Sequence, residues 1–223
     1  MPTQTFFNLP KQKREKLTEI ALDEFSTLDY NSASISRIVR EIGIAKGSFY
    51  QYFADKKDLY IYLLNLVSKA KLTLMQQTPP PKTEMDFYKY LSWLFEMSIH
   101  FDKTYPKLSR LSYRAFYGNS SFQDREIDEI KQGSSKFIRQ IVLQGIEKGD
   151  INSDLDLDLV VFVVDTMINA FNNYIPHKLG TTADVLAEKG SSSFDFDLAK
   201  KTFDRLITIM KLGLANKSRN TEN

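Results

Sequence analysis

The sequence predicts an all-α protein of about nine helices, and three observations carry that prediction. Apolar residues recur at three- and four-residue spacing through nearly every segment. No run of alternating apolar and polar residues marks a strand. The composition, 42% hydrophobic and 13% aromatic over 223 residues, supplies enough apolar material for a sizeable core.

Pro10 suits a first helical position, and Leu17, Ile20, Ala21, Phe25 and Leu28 lay one stripe along a helix over about 10–28. The polar segment from Asp29 to Ala33 ends it. Ser34 is placed to cap a short second helix carrying Ile35, Ile38, Val39 and Ile42, and Gly43 suits the left-handed residue that stops it. A third helix runs from Ala45 to Phe53 with Phe49 and Phe53 on its inner side. Asp55 then caps a longer fourth helix whose stripe is Leu59, Leu63, Leu66, Val67, Ala70 and Leu74. Pro79, Pro80 and Pro81 cannot continue a helix, because they lack N–H donors and clash with the preceding turn. Five further helical patterns follow, over about 82–102, 106–117, 123–148, 156–174 and 196–214, with a non-periodic insertion over 176–194 and a frayed last eight residues.

Composition excludes several function classes. Lys and Arg total 30 against 28 acids, a net +2, so any nucleic-acid-binding surface must be local. Residues 1–78 are mildly basic and 79–223 nearly balanced, with Lys11, Lys13, Arg14 and Lys16 clustered at the start of the first helix. Zero cysteines remove disulfides, thiolate zinc sites and cysteine nucleophiles, and fit a reducing cytoplasm. The amino-terminal residues do not read as a signal peptide. The most apolar stretch, Leu155 to Phe171, is interrupted by Asp156, Asp158, Asp165 and Asn169, so no membrane span is expected. Asp154, Asp156 and Asp158 superficially suggest a calcium loop, but Leu159 stands where a glycine is needed, and carboxylates at a helix start explain them better. His100 and His177 have no ligand-spaced companions. No P-loop or Gly-x-Ser-x-Gly sequence is present, and neither enzyme activity nor a cofactor is expected.

Residues 34–53 have the physical logic of two short helices joined by a tight turn. Ile38, Ile42, Ile44, Phe49 and Phe53 lock them together, leaving Lys46, Gly47, Ser48, Gln51 and Tyr52 on the free face. Small and polar residues at a helix start fit a major groove. Gly47 permits close approach, Lys46 and Gln51 reach base edges, and Ser48, Tyr50 and Tyr52 offer hydroxyls to phosphate. The string GIAKGSFYQYFADKKDL over 43–59 resembles the signature of the tetracycline-repressor (TetR) family of bacterial transcriptional regulators. The resemblance covers about the first third of the chain. It implies base contacts from Lys46, Gly47, Ser48 and Gln51, and phosphate contacts from Tyr50, Tyr52 and Lys56, with Ser36 or Arg37 contributing. Two departures stand out: Ala45 replaces a capping Ser, and Val39 replaces a small Ala.

The resemblance also implies a DNA-binding domain over 1–57, joined by a helix over 58–76 to a ligand-binding and dimerisation domain over 77–223. Residues 87–117 hold ten of the 28 aromatics; core packing accounts for most of them, while Trp93, Met97, Tyr113, Phe116, Phe137 and Met167 are candidates for the lining of an effector pocket. The helix over 156–174 is apolar on more than one face, and with the helix over 196–214 it offers Phe162, Phe171, Phe203, Ile207 and Met210 as candidates for a homodimer contact. The expected function is a cytoplasmic repressor that binds a palindromic double-stranded operator and is released by a small apolar or aromatic effector. The alternatives are a regulator or nucleoid-type protein without an effector, and a helical ligand carrier or enzyme.

Overall fold

The computed structural model describes residues 1–81, 85–117, 125–178 and 195–215. In chain order the helices are α1 (Gln4–Phe7), α2 (Lys11–Thr27), α3 (Ile35–Ile42), α4 (Lys46–Tyr52), α5 (Lys56–Gln77), α6 (Phe87–Thr104), α7 (Pro106–Tyr117), α8 (Arg125–Glu147), α9 (Leu157–Lys178) and α10 (Phe196–Leu214). Among the described residues there is no strand, and Ile151 and Ala215 form an isolated antiparallel bridge. The sequence does not predict α1, whose four residues are too few to show a period. Conversely, α9 continues through Pro176 to Lys178 rather than ending near 174. The remainder of the expected insertion and the last eight residues lie outside the described residues.

The helices pack as two compact units. In the first, Met1–Leu74 packs with the segment beginning at Phe101 that contains α7. Phe6, Leu17, Phe25, Ile38, Phe49, Phe53, Leu59 and Leu63 are almost wholly removed from solvent there, the condition under which each large apolar side chain contributes about 1.5–3 kcal/mol to folding. Within this unit α7 packs against α2. Lys107 lies 2.5 Å from Asp23 and 3.5 Å from Glu19, and Arg114 donates to the Ser26 carbonyl at 3.2 Å. Between α5 and this segment the Lys71 ammonium donates to the Ser112 hydroxyl at 3.4 Å, and Ser109 donates to Asp102 at 2.5 Å. Burial pushes the Lys71 pKa down and the Asp102 pKa up, and the opposite charge of each partly offsets the other's shift.

In the second unit, α6 up to His100 packs with α8, α9 and α10. Gly145 sits at a close approach within it: a Cβ there would stand 3.0 Å from Ile151 Cδ1 and 3.1 Å from Phe87 Cβ. Asp156 accepts from the Leu159 N–H at 2.7 Å and Asp195 from the Leu198 N–H at 2.9 Å, so these carboxylates cap helices. The Phe95 and Phe203 rings stack at 4.2 Å, and Phe171 meets Phe203 edge-on at 5.1 Å. These contacts correct the expected dimer face. Phe171, Phe203, Ile207 and Met210 are 6%, 3%, 9% and 3% exposed and belong to this unit's own core, while Phe162 is 64% exposed. The outward stripes carry Leu159 and Phe162 on α9 and Ile209 and Leu212 on α10.

Candidate nucleic-acid interface

The helix–turn–helix forms from local signals. The Ser34 hydroxyl accepts from the Arg37 N–H and opens α3, and Gly43 at φ 79° closes it in the left-handed region that disfavours a side chain. Gly43 N–H and Ile44 N–H both donate to the Val39 carbonyl, at 3.1 and 3.0 Å, which tightens the turn into α4. Ala45 precedes α4 without a side-chain cap, and the first bond there is Ser48 N–H to the Ala45 carbonyl at 2.9 Å. Ile38, Val39, Ile42, Phe49 and Phe53 are buried as the sequence predicts, with Ile44 half-buried.

Of the expected base-reading residues, Lys46, Gly47 and Gln51 are exposed and Ser48 is half-buried, all on one short helix. A Cβ at Gly47 would have nothing within 4 Å, so no packing inside the chain requires a glycine at this position. Tyr50 is 51% exposed and Ser36 is exposed.

Three expected phosphate contacts are buried or have partners within the chain. Tyr52 is 5% exposed, because it lies three residues from Phe49 and shares its inward face; its ring approaches Phe6 at 6.5 Å. It therefore belongs to the core and not to the free face. Arg37 is engaged within the chain: Glu24 accepts from its Nε at 2.9 Å, and the Ser32 carbonyl accepts from Nη2 at 2.6 Å. The hydrogen bond to the Glu24 carboxylate raises the Arg37 pKa further above its already high value. Glu24 also accepts from the Ser34 N–H at 2.6 Å, so one carboxylate fixes the start of α3. The sequence gives no signal for this, since the partners are 10 and 13 residues apart across a loop. Lys56 is likewise occupied: its ammonium donates to the Ala33 carbonyl at 3.0 Å and the Asn31 carbonyl at 3.3 Å, and sits 4.6 Å from the Tyr30 ring centre. On α2, Lys13 and Lys16 are exposed, while Lys11 pairs with Glu15 at 3.8 Å.

The effector-pocket candidates divide between the units. Tyr113 and Phe116 are half-buried on α7 in the first. In the second, Trp93 is 7% exposed, Met97 and Met167 are half-buried, and Phe137 lies at the surface of α8, 36% exposed. Trp93 lines a cleft of about 390 Å³ between α6 and α10, with Met85, Tyr88, Lys89, Ile207 and Lys211 among its other walls. Among the described residues no cluster of three acidic or histidine side chains is placed to hold a metal ion, and no helix is long and apolar enough to cross a membrane.

Comparison with known proteins agrees with this geometry. Residues 17–63 match the family model described as bacterial regulatory proteins, tetR family, and residues 85–189 match a tetracyclin repressor-like C-terminal domain. A solved TetR family transcriptional regulator from Chloroflexus aurantiacus J-10-fl is 37% identical over 97% of this chain and 100% of that one, with a TM-score of 0.74. The fatty acid metabolism regulator protein of Bacillus subtilis strain 168 is 27% identical across 67% of this chain and 77% of its own length. The transcriptional regulator FadR of B. subtilis, solved with stearoyl-CoA, shares the fold at 16% identity and a TM-score of 0.64, over 86% of this chain and 96% of that one. With both parts of the chain matched and a full-length relative at this identity, the protein belongs to the TetR family of transcriptional regulators.

Proposed function

We propose that the protein acts in the cytoplasm as a homodimeric repressor whose two α4 helices enter successive major grooves of an inverted-repeat operator. The observation that carries this reading is the face of α4, where Lys46, Gly47 and Gln51 stand exposed and Gly47 serves no internal packing need. Lys46 and Gln51 have the reach and donors for base edges, Gly47 lets the backbone close on the duplex, and Ser48 adds a short hydroxyl. Ser36, Tyr50, Lys13 and Lys16 hold phosphates, giving register and salt dependence without sequence preference. Two-fold symmetry of the protein then matches that of the operator. Leu159, Phe162, Ile209 and Leu212 provide the outward apolar face through which two copies pair.

Release requires a ligand that binds the two states unequally. The relative named as a fatty acid metabolism regulator, and the shared fold of a stearoyl-CoA complex, make a long-chain acyl-CoA the first ligand class to test. Selection of bound duplexes from a random pool, near physiological salt, tests the DNA reading. An enriched inverted repeat is expected, with Gly47→Val losing at least about tenfold in affinity for it at an unchanged unfolding midpoint. Absence of any enriched sequence from ligand-stripped, refolded protein overturns the reading, and stearoyl-CoA that leaves operator affinity unchanged removes the acyl-CoA class.

A further inference from the structure

We propose that Thr3 is a positioning residue for the recognition helix: it closes the carbonyl end of α4 and so fixes how Gln51 is presented to DNA. This rests on the reading of α4 as the DNA-reading helix. A helix seven residues long keeps few internal hydrogen bonds, and the carbonyls of its last four residues have no partner within it. In α4 these belong to Phe49, Tyr50, Gln51 and Tyr52. The Phe49 carbonyl accepts from the Phe53 N–H at 3.0 Å. No glycine follows to supply a left-handed cap, and Phe53 leaves in an extended conformation at φ −134°. Two of the remaining carbonyls are met by one distant residue: the Thr3 hydroxyl donates to the Gln51 carbonyl at 2.6 Å, and the Thr3 N–H donates to the Tyr52 carbonyl at 2.9 Å.

Thr3 is itself held. It is the N-cap of α1, its hydroxyl accepting from the Phe6 N–H at 3.4 Å. Phe6 is completely buried, its ring 4.9 Å from that of Phe53 and 5.2 Å from that of Tyr62. The far end of α1 is tied to α2, because Arg14 donates to the Phe7 carbonyl at 2.8 Å. The amino-terminal segment is thus a strap joining α2, α4 and α5. The residue whose carbonyl it grips, Gln51, is the one whose side chain is assigned to a base edge.

The test compares the parent protein with Thr3→Ala and Thr3→Ser on the selected operator and on random duplex, with thermal unfolding alongside. Losing the hydroxyl bond is expected to weaken operator binding about three- to tenfold while leaving random-duplex affinity unchanged. Thr3→Ser, which keeps the donor, restores operator affinity to within about twofold of the parent. An unfolding midpoint common to all three separates positioning from stability. An unchanged ratio of operator to random affinity in a folded Thr3→Ala overturns the inference while leaving the DNA reading intact. Failure of the parent to select any operator overturns both. Hydrogen exchange at the Phe53 amide, which closes the last turn of α4, gives a readout without DNA. It should quicken in Thr3→Ala and not in Thr3→Ser, and equal rates in all three speak against the strap.

Discussion

The ammonium of Lys56 lies against two carbonyls and an aromatic face, whereas that of Lys13 stands on an exposed turn of α2. The two lysines carry equal charge, and on the proposed function the second is the one expected to release counterions from a duplex. Lys13→Ala should weaken operator and random DNA alike and reduce the salt slope of binding by about 0.9, the worth of one phosphate. Lys56→Ala should leave that slope unchanged and lower the unfolding midpoint by about 2–6 °C, since two carbonyls lose a charged donor. Binding isotherms across a salt series decide between them, and a shallower slope in Lys56→Ala would return that residue to the DNA surface. Sequence and resemblance place Lys46, Gly47 and Gln51 on the exposed face of α4, because exposure on a short helix follows from the apolar spacing of Phe49 and Phe53. They misplace Tyr52 because, at this spacing, an aromatic residue suits either side of the helix, and the choice is made by Phe6, which no local pattern connects to it.

At the scale of elements, α8 contains two glycines with opposite surroundings. A Cβ at Gly133 meets nothing within 4 Å, while one at Gly145 runs into Ile151 and the Cβ of Phe87, close to the α6 backbone. Gly133→Ala should therefore stabilise the fold by about 0.5–1 kcal/mol through helix propensity alone. Gly145→Ala gains the same propensity and should still destabilise, by about 1–2 kcal/mol net, because α6 must give way. Denaturant unfolding measures both, and stabilisation by Gly145→Ala would mean that α6 and α8 are free to separate. The helices α2 to α5 are legible in the sequence because their ends are written locally, in Ser34, Gly43 and Asp55. The faces of α9 and α10 are not. A helix apolar on two sides has a clear period but no phase, and its inward stripe is selected by neighbours such as Phe95 rather than by its own residues.

Across the whole molecule, the exposed stripes of α9 and α10 predict the assembly. Phe162→Glu combined with Leu212→Glu should yield a folded monomer whose operator affinity falls by roughly a hundredfold or more, since each half-site is then bound alone. By contrast, Phe203→Glu should prevent the second unit from folding, because it places a charge inside the aromatic cluster. Sedimentation and circular dichroism distinguish the two, and a persistent dimer in the double variant places the contact elsewhere. The closure of α4 by Thr3 also sets an order of events during synthesis. The strap leaves the ribosome ahead of everything it grips, and its hydroxyl waits for a carbonyl 48 positions later in the chain. A nascent chain therefore cannot close the carbonyl end of α4 until all of that helix has been made, and the closing contact reaches back to residues synthesised long before it.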